Sequence, residues 1–389
     1  MIISNRIKLT PNLANPKLSQ PRIDHLILAT HLFHKLAVAS VKATTRDSVA
    51  ITFAVPEHLQ NKFAYVQGQY LTLRTVIDGQ EVRRSYSICS AVQDKQLRIA
   101  IKKVAGGAFS NWAAAHLLPG SSIDVMPPQG HFHIPLEPSA GRRILAFAAG
   151  SGITPMLSII KTMLLAEPLT RVTLVYGNRS SSGVMFKEEL EDLKDRFLTR
   201  LNLVWVMSRE TQEIELFSGR IDYEKTSQLL TQWVDPAGTD AAFICGPHDM
   251  MLAVTQALQD KGVDKSRIKA ELFGTPLAAK PRPLKAADAA DEQCAVEVVL
   301  DGSRRSFSMP KTGVSLLDAG LKAGIDMPYS CKGGVCSTCR AQVVLGEVDM
   351  DNNFALEDYE VARGFVLCCQ SFPVSNKLLI DFDQEHTHA

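Results

Sequence analysis

The sequence of 389 residues contains no long hydrophobic run and no excess of charge of either sign. No stretch approaches 18 uninterrupted apolar residues, which predicts that no segment spans a membrane. The formal net charge of +1 argues against a general nucleic-acid-binding protein, which usually carries a clear basic surplus. The first residues, MIISNRIKLT, lack the charged region, apolar run and cleavage site of a secretory signal, so we expect a cytoplasmic protein.

Internal repeats are also absent, and the length predicts two or three domains at about 100–200 residues each. Residues 275–293 are rich in proline and alanine, which is typical of a linker. The segment from Cys294 to Ala389 has 8 Lys+Arg and 13 Asp+Glu, a net charge of −5, whereas the preceding residues carry +6. This difference indicates either electrostatic docking of an acidic C-terminal domain or two domains with ordinary surface bias.

The folding pattern changes along the chain. Short strands separated by turns such as Asp78-Gly79 predict an antiparallel β-barrel, and alternating strands and helices beginning at Arg143–Ala149 predict a parallel α/β sheet. A hairpin at Asp301-Gly302, followed by a short helix, suggests a small β-grasp-like domain. The predicted divisions are an N-terminal extension, the barrel, the α/β domain, the linker and the β-grasp domain, at residues 1–33, 34–137, 138–274, 275–293 and 294–389.

Cysteine is sparse except near the C-terminus, where five of the eight cysteines lie between Cys331 and Cys369. Four of them follow the C-x4-C-x2-C…C pattern of a plant-type [2Fe–2S] cluster, in which four thiolates bind the iron atoms. Zinc sites favour two paired C-x2–4-C knuckles, and here the fourth cysteine stands alone. The predicted cluster ligands are Cys331, Cys336, Cys339 and Cys369.

Two adjacent cysteines compete for the fourth ligand position. Cys369 gives the spacing of 29 intervening residues after Cys339, and Cys368 does not. If this segment is extended, the Cys368 side chain points to the opposite side. We therefore expect Cys369 to be the ligand.

The order of the motifs resembles a known family. Residues 331–339 with Cys369 resemble plant-type ferredoxins, whereas Arg84-Ser85-Tyr86-Ser87, Gly150–Pro155 and Cys245-Gly246-Pro247 resemble the ferredoxin–NADP reductase family. A flavin barrel, a nucleotide domain and a C-terminal ferredoxin domain form the layout of oxygenase reductases. Within that family the chain, from about residue 36 to 384, resembles the reductase components of phenylacetyl-CoA epoxidases.

The resemblance implies an FAD site on the barrel. Arg84 offers a forked donor for the pyrophosphate, Tyr86 can pack on the isoalloxazine ring, and the Ser87 hydroxyl can reach N5 of that ring. The segment Gly106–Ser110 offers backbone N–H groups and a hydroxyl to phosphate. The candidate FAD-binding residues are Arg84, Ser85, Tyr86, Ser87, Gly107, Ala108, Phe109, Ser110 and Phe273.

The motif Gly150–Pro155 lies between a predicted strand and a predicted helix, with Thr154 suited to the N-cap and Pro155 to the first helical position. A helix N-terminus attracts pyrophosphate, although this motif is not the G-x-G-x-x-G fingerprint. Arg179 can pair with a 2′-phosphate, and no acidic residue nearby occupies the place that a ribose diol would want, which favours NADPH over NADH. The candidate nucleotide-binding residues are Gly150, Ser151, Gly152, Thr154, Pro155, Arg179, Ser180, Cys245, Gly246 and Pro247.

The candidate catalytic residues are Ser87, Cys245 and Glu271. In the resembled family the position of Cys245 lies beside the nicotinamide, although a lone cysteine can equally be a small buried hydrophobic residue. Glu271 and Phe273 match positions near the flavin, where Glu271 would relay protons and Phe273 would cover the ring until the nicotinamide displaces it.

The implied function is electron transfer from NADPH through FAD and the [2Fe–2S] cluster to a partner. By resemblance the partner is the diiron oxygenase that epoxidises the ring of phenylacetyl-CoA. Two alternatives stay open: a reductase for another acceptor, such as a different oxygenase or a hybrid-cluster protein, and a non-catalytic redox sensor. The sequence offers no output module for a sensor.

Overall fold

The computed structural model describes residues 32–273 and 293–384. Residues 33–273 belong to one compact unit and residues 293–384 to a second. Most of the predicted N-terminal extension (1–33) and of the predicted linker (275–293) lies outside the described residues, as does Gly274. None of the helices in the described part of the chain is both long and apolar enough to cross a membrane.

The first unit begins with six antiparallel strands and one helix. Their bounds are β1 His34–Thr45, β2 Ser48–Ala54, β3 Tyr70–Ile77, β4 Gln80–Ser87, β5 Leu97–Lys102, α1 Ala108–His116 and β6 Ser122–Val125. The strand order is β4-β3-β6-β1-β2-β5, and a bridge between Ile88 and Ile99 joins the two outer strands. The sheet therefore closes into the predicted barrel. Asp78 and Gly79 have φ angles of 51° and 75° and connect β3 to β4, as the hairpin prediction requires.

The barrel core contains alternate residues of the strands. Leu71 and Leu73 of β3, like Ile99 and Ile101 of β5, point inward and are almost completely buried. The sequence did not predict β1, in which few side chains are buried. This strand forms because both of its edges pair, one with β2 and the other with β6, so tertiary pairing outweighs its weak hydrophobic pattern.

The second half of this unit is the predicted parallel α/β sheet. Its elements are β7 Arg143–Ala149, α2 Ile153–Ala166, β8 Arg171–Asn178, α3 Lys187–Arg196, β9 Leu201–Met207, α4 Tyr223–Gln232, β10 Ala241–Gly246, α5 His248–Asp260 and β11 Ile268–Leu272. The strand order is β11-β10-β7-β8-β9. After β7, the strands β8 and β9 are added on one side of it. The next strand, β10, pairs with the other side of β7, and β11 follows next to β10. The carboxyl ends of β7 and β10 therefore form the switch point at which such sheets bind ligands.

The α/β sheet is covered on both faces, which explains why β7 is an unbroken apolar run after Arg143. Ile144 and Ala146 pack in one buried cluster with residues of α2 and α3. Leu145 and Phe147 pack in another cluster with residues of α4 and α5. The first cluster also contains barrel residues, so the barrel and the sheet share a continuous core.

The C-terminal unit contains a five-stranded mixed sheet, a two-stranded sheet and two short helices. Its elements are β12 Gln293–Leu300, β13 Ser303–Pro310, α6 Leu316–Lys322, β14 Arg340–Leu345, β15 Val348–Met350, α7 Asp358–Ala362, β16 Phe365–Leu367, β17 Ser371–Pro373 and β18 Lys377–Asp381. The larger sheet has the order β13-β12-β18-β14-β16. Asp301 and Gly302 form the predicted hairpin, with φ angles of 52° and 70°. Ser315 caps α6 by accepting a 3.1 Å hydrogen bond from the Asp318 N–H.

Candidate functional site

The end of β4 presents the residues predicted to contact a flavin. The Tyr86 ring lies 5.7 Å from the Phe109 ring, and burial raises the pKa of Tyr86. Ser87 is buried, whereas Arg84 is exposed and its Nη1 atom donates a 2.7 Å hydrogen bond to the carbonyl oxygen of Arg83. The hydroxyl of Ser85 lies 3.1 Å from that of Thr72 on β3. An aromatic ring and a hydroxyl thus lie on neighbouring positions of one strand.

A tight glycine turn leads into α1 beside this strand. A Cβ on Gly107 would lie 2.7 Å from the hydroxyl of Ser110, so the turn has no room for a side chain there. The first N–H groups of the helix, including those of Ala108 and Phe109, have no carbonyl of a preceding turn to bind. The Ser110 hydroxyl accepts a 3.1 Å bond from the Val104 N–H and keeps its own proton for another acceptor. The Phe109 side chain lies in the barrel core.

The switch point brings together Gly152 and Cys245. A Cβ on Gly152 would lie 2.1 Å from the carbonyl oxygen of Cys245 and 3.3 Å from its sulfur. The Tyr176 hydroxyl donates a 2.8 Å hydrogen bond to the carbonyl oxygen of Gly150, which holds the turn over Gly150–Gly152 in place. Only glycine at position 152 permits this close approach of the two segments.

The predicted start of the helix after β7 is wrong by two residues. The helix α2 begins at Ile153, with Gly152 as its N-cap. Thr154 lies inside the first turn, where its hydroxyl donates a 3.0 Å bond to the carbonyl oxygen of Ser151. Pro155 is the third helical residue, a position at which the missing N–H costs no helical hydrogen bond. A turn of 3-10 helix over Gly150–Gly152 displaces the start from the expected threonine cap.

Cys245 and Glu271 are register partners on the parallel strands β10 and β11. Burial raises the pKa of the Cys245 thiol, and the neighbouring Glu271 adds to this shift. Burial also raises the pKa of Glu271 to about 8. Its Oε2 atom is buried and makes no hydrogen bond to any residue that the structure describes. Two candidate catalytic groups are thus adjacent, and one of them carries an unsatisfied polar atom.

Phe273 continues this edge of the sheet. Its N–H donates a 2.9 Å bond to the carbonyl oxygen of Gly246, and its ring packs against the buried cluster that contains Cys245. Cys89, two residues beyond Ser87, belongs to the same cluster. Pro247 follows β10 as the N-cap of α5. Residues just after β4 and at the end of β10 therefore belong to the same buried cluster.

Arg179 and Ser180 follow β8 at the same edge, and Arg179 is exposed. The N–H of Arg209, another exposed residue, donates a 2.8 Å bond to the carbonyl oxygen of Arg179. The structure also brings an acidic residue to this loop, because a carboxylate oxygen of Glu210 accepts a 2.7 Å hydrogen bond from the Ser181 N–H. Arg209 and Glu210 both follow β9. Because β9 pairs in parallel with β8, these two residues lie beside the loop after β8 although they are about 30 positions away in the sequence.

The four predicted cluster cysteines lie together in the C-terminal unit. The Cys331 sulfur contacts the sulfurs of Cys336 and Cys369, and the Cys369 sulfur also contacts that of Cys339. The hydrogen bond with the Cys336 thiol, and secondly that with the Cys369 thiol, lowers the pKa of Cys331. The same contacts with Cys331 raise the pKa values of Cys336 and Cys369. The N–H of Gly333 lies 3.3 Å from the Cys331 sulfur and donates to it.

The loop between these cysteines depends on unusual backbone angles. Lys332 and Gly334 have φ angles of 53° and 74°, and a Cβ on Gly334 would lie 2.8 Å from the carbonyl oxygen of Asn352. The side-chain amide of Gln370 donates bonds to the carbonyl oxygens of Lys332 and Cys369, at 3.0 Å and 3.1 Å. Gln370, which sequence reasoning missed, thus ties the loop to the segment of the fourth cysteine.

The segment of the two adjacent cysteines is a turn of 3-10 helix over Cys368–Gln370, not the extended chain considered from the sequence. Cys368 is fully buried in the core of this unit, and burial raises the pKa of its thiol. Cys369 instead contacts the sulfurs of Cys331 and Cys339. The side chains of Cys368 and Cys369 therefore have different surroundings because the segment is a 3-10 turn, and not because side chains alternate along a strand.

These arrangements fit the groups that the motifs imply. Three thiols of one loop and the thiol of Cys369 converge beside backbone N–H donors, and this arrangement suits an iron–sulfur cluster. The N-terminus of α1 follows Gly107 and that of α2 follows Gly152, two positions at which a Cβ would clash with neighbouring atoms, and helix N-termini of this kind suit pyrophosphate groups. The Glu271 Oε2 atom is a buried acceptor that no described residue satisfies.

Comparison with known protein families divides the chain in the same order. An oxidoreductase FAD-binding domain matches residues 35–134, and an oxidoreductase NAD-binding domain matches residues 147–256. A 2Fe-2S iron-sulfur cluster binding domain matches residues 298–374. The predicted cofactor classes, FAD, a nicotinamide nucleotide and a [2Fe–2S] cluster, are therefore confirmed.

Individual proteins support the same conclusion. One component of the 1,2-phenylacetyl-CoA epoxidase from Escherichia coli (strain K12) is 44% identical over 90% of this chain and 98% of its own length. The ferredoxin reductase component of 3-ketosteroid-9-alpha-monooxygenase from Rhodococcus rhodochrous is 38% identical over 89% and 96%. The solved structure of phthalate dioxygenase reductase shares the fold, with a TM-score of 0.54 and 24% identity over 90% of this chain and 98% of that one.

These matches extend over nearly the whole length of both relatives and cover all three domains. The chain therefore belongs to the family of oxygenase reductases that combine FAD-binding, NAD-binding and [2Fe–2S] domains, and it is an oxidoreductase that passes electrons from a nicotinamide nucleotide to an oxygenase.

Proposed function

We propose that this chain uses NADPH to supply electrons to a diiron epoxidase that acts on phenylacetyl-CoA. The observation that carries the proposal is the 44% identity to a component of such an epoxidase, which extends over 98% of that relative. When bound, FAD takes up a hydride and the [2Fe–2S] cluster releases electrons singly, which joins two-electron to one-electron chemistry. The protein supplies binding, orientation and a proton-holding group.

In this proposal, residues of the barrel hold the flavin. The exposed Arg84 and the first N–H groups of α1, at Ala108 and Phe109, bind the pyrophosphate. Tyr86 packs against the flavin ring, supported from behind by the Phe109 ring at 5.7 Å. Ser87 offers its hydroxyl to the ring edge, and Phe273 covers the ring.

The switch point holds the nicotinamide nucleotide. The N-terminus of α2 at Gly152 faces the pyrophosphate, and the absence of a Cβ there lets Cys245 lie against the same turn. Glu271, with a pKa raised to about 8, is mainly protonated at neutral pH, so its carboxyl can hold and donate a proton beside Cys245. Cys245, whose burial raises the pKa of its thiol, stays uncharged and shapes an apolar floor.

Two exposed arginines support the choice of NADPH. Arg179 and Arg209 follow adjacent strands and are joined by a 2.8 Å backbone hydrogen bond, so both cations lie at the edge where a 2′-phosphate would bind. One carboxylate oxygen of Glu210 accepts a hydrogen bond from the Ser181 N–H, which holds this side chain against the loop. In the C-terminal unit, the proposed cluster ligands are the four neighbouring cysteines, Cys331, Cys336, Cys339 and Cys369.

The proposal is tested by mixing the holoprotein and NADPH with a phenylacetyl-CoA epoxidase, with and without phenylacetyl-CoA. We expect NADPH oxidation that depends on the substrate, together with formation of the epoxide. An artificial one-electron acceptor serves as a control. Rapid reduction of that acceptor without epoxide formation would support a reductase activity and exclude this partner. If the protein oxidised NADPH with neither acceptor, a redox sensor would be favoured.

The second candidate is a reductase for a different oxygenase. The 38% identity to a ketosteroid monooxygenase reductase, over 96% of that protein, favours this alternative more than any other. A parallel reaction with a ketosteroid monooxygenase and its steroid substrate distinguishes the two candidates. The oxygenase that gives the larger substrate-dependent rate of NADPH oxidation is the better acceptor.

A further inference from the structure

The helix α2 carries a polar stripe although it is buried along most of its length. Ser158, Lys161 and Thr162 stand three and four positions apart, so they lie on one face of the helix. Ser158 and Thr162 are completely buried. A buried hydroxyl is costly unless it forms a hydrogen bond, so the partners of these two side chains indicate the function of the stripe.

Both hydroxyls bind residues 90–94, called the 90–94 segment, which lie between β4 and β5 in the barrel half of the unit. The Ser158 hydroxyl donates a 2.7 Å hydrogen bond to the carbonyl oxygen of Ser90. The Thr162 hydroxyl accepts a 3.1 Å bond from the N–H of Val92. The stripe therefore joins a helix of the sheet half to the barrel half.

Two further contacts join the same face of α2 to the 90–94 segment. The side-chain amide of Gln93 donates a 3.3 Å bond to the carbonyl oxygen of Thr162. The Lys161 ammonium donates a 2.8 Å bond to a carboxylate oxygen of Asp94. Because the contacts begin at Ser158 and end at Thr162, the helix is held along more than one full turn.

The 90–94 segment is itself fixed to the barrel. The Tyr65 hydroxyl donates a 2.8 Å bond to the carbonyl oxygen of Ala91 and lies 2.9 Å from the hydroxyl of Ser90. Burial raises the pKa of Tyr65 to about 12, so the phenol stays protonated at neutral pH and remains a donor. The segment is therefore not a loose loop, and its bonds connect α2 to the barrel itself.

An ion pair holds a second helix of the sheet half. Both carboxylate oxygens of Glu189 on α3 accept bonds from Nη2 of Arg98 on β5, at 2.8 Å and 3.0 Å. The Lys161 Nζ atom lies 3.6 Å from Glu189 and so connects this pair to the stripe on α2. Because α2 and α3 are both bonded to the barrel, rotation of the sheet against the barrel is restricted as well as translation.

The relative position of the two halves matters because the barrel binds FAD and the sheet binds the nicotinamide nucleotide. Hydride transfer between them requires reacting atoms about 3–3.5 Å apart. Apolar burial has no preferred direction, whereas a hydrogen bond requires a defined distance and angle. The apolar core that the halves share therefore holds them together, and the polar contacts define their register.

We propose that Ser158 and Thr162 are positioning residues for hydride transfer, because their bonds to the 90–94 segment set the register between the nucleotide-binding sheet and the flavin-binding barrel. They act through the position of α2 and not through a contact with either cofactor. The proposal requires no particular oxygenase as the electron acceptor, and it is independent of the choice between NADPH and NADH.

The test is stopped-flow reduction of the flavin in the full-length holoprotein, with whichever of NADPH and NADH reduces the wild type faster. A range of nucleotide concentrations gives a limiting rate constant and an apparent Kd. The variants are Ser158→Ala, Thr162→Val, the double variant and Thr162→Ser, which keeps a hydroxyl. Thr226→Val is the matched control, because Thr226 is also completely buried in a helix but donates its 2.6 Å bond to the carbonyl oxygen of Asp222, the N-cap of its own helix α4.

Hydrogen–deuterium exchange of a peptide that contains Val92 reports the bond to Thr162 independently of activity. Thr162→Val removes the acceptor of the Val92 N–H, so we expect faster exchange in this variant and exchange at the wild-type rate in Thr226→Val. Urea denaturation measures the stability that each variant loses.

We expect the limiting rate constant to fall about tenfold in each single variant and about a hundredfold in the double variant, the loss that a misplacement of about 1 Å produces. The apparent Kd and the flavin content should stay at their wild-type values. Thr162→Ser should restore most of the rate. Thr226→Val should lose stability in urea and still reduce its flavin at the wild-type rate.

An unchanged limiting rate constant in the double variant, whether or not the Val92 peptide exchanges faster, would overturn the proposal. An equal loss of rate in Thr226→Val would also overturn it, because the effect would then follow from lost stability. A raised Kd with an unchanged limiting rate constant would assign the residues to nucleotide binding instead. If the double variant loses its flavin, the two single variants decide by the same criteria.

Discussion

The substitution Gly152→Ala should slow flavin reduction by NADPH while leaving the flavin bound. The added Cβ would lie 2.1 Å from the carbonyl oxygen of Cys245, roughly 1.3 Å inside the 3.4 Å limit of ordinary contact. That oxygen belongs to the backbone of β10, so the clash cannot be relieved by the rotation of a flexible side chain. Either the N-terminus of α2 or the end of β10 must move by about the same distance.

A misplacement of about 1 Å at a reacting centre can cost ~10²-fold in rate. We therefore expect the rate constant of flavin bleaching, measured by stopped-flow absorbance after mixing with NADPH, to fall about a hundredfold. Overpacking of this kind also costs ~1–3 kcal/mol of stability, which urea denaturation measures. The flavin content should stay at that of the wild type, because Gly152 lies in the sheet half of the unit and the flavin motif lies in the barrel half.

The control is Gly183→Ala in the loop after β8. A Cβ at Gly183 meets its nearest atom, the Ser180 hydroxyl oxygen, at an ordinary 3.9 Å. This variant should reduce its flavin at the wild-type rate. If Gly152→Ala retained the NADPH-dependent rate within threefold, the close approach at the switch point would have no role in hydride transfer, and the assignment of this turn to the nucleotide would be wrong.

Four further substitutions test separate parts of the site. Cys369→Ser should lose the visible and paramagnetic signals of the cluster and keep the flavin, whereas Cys368→Ser should keep both; a cluster retained in the first variant would overturn the ligand assignment. The pKa of Glu271, raised from 4.5 to about 8, means that the folded protein binds a proton that the unfolded chain has lost, so stability falls as the pH rises from about 4.5 to about 8. Glu271→Gln should flatten this part of the pH dependence in urea denaturation, and an unchanged slope would contradict the raised pKa. Arg179→Ser should lower kcat/KM for NADPH about tenfold and leave kcat/KM for NADH unchanged, and an equal loss with both nucleotides would remove the argument for a 2′-phosphate contact.

Local sequence signals predicted the elements whose shape depends on a few consecutive residues. Asp78-Gly79 and Asp301-Gly302 form hairpins because both residues of each pair adopt positive φ angles, a conformation that glycine and aspartate tolerate. The strand Arg143–Ala149 was predicted with its observed bounds, because burial on both faces gives a continuous apolar run. The fold class followed from the alternation of such elements.

Features that depend on distant partners were not predictable in this way. The strand β1 has few buried side chains and forms through pairing on both edges. The position of Glu210 beside the Ser181 N–H follows from strand register, which a single sequence does not reveal. The same holds for the buried ion pair of Arg340 and Glu360, whose side chains are joined by a 2.8 Å hydrogen bond although the residues are 20 positions apart. The cysteine spacing predicted candidate ligands, but their hydrogen-bonded support from Gln370 became visible only in the structure.

The carboxyl edge of the parallel sheet is built at a cost to stability. Glu271 and Asn178 each hold a buried side-chain atom, Oε2 and Nδ2, that finds no hydrogen-bond partner among the described residues. An unsatisfied buried polar atom costs ~1–3 kcal/mol, and an apolar residue at either position would avoid this cost. Both residues lie at the ends of strands next to the switch point, on β11 and β8. A polar ligand that reached these atoms would recover part of that cost on binding, so the same groups that weaken the isolated fold can contribute affinity for a nucleotide.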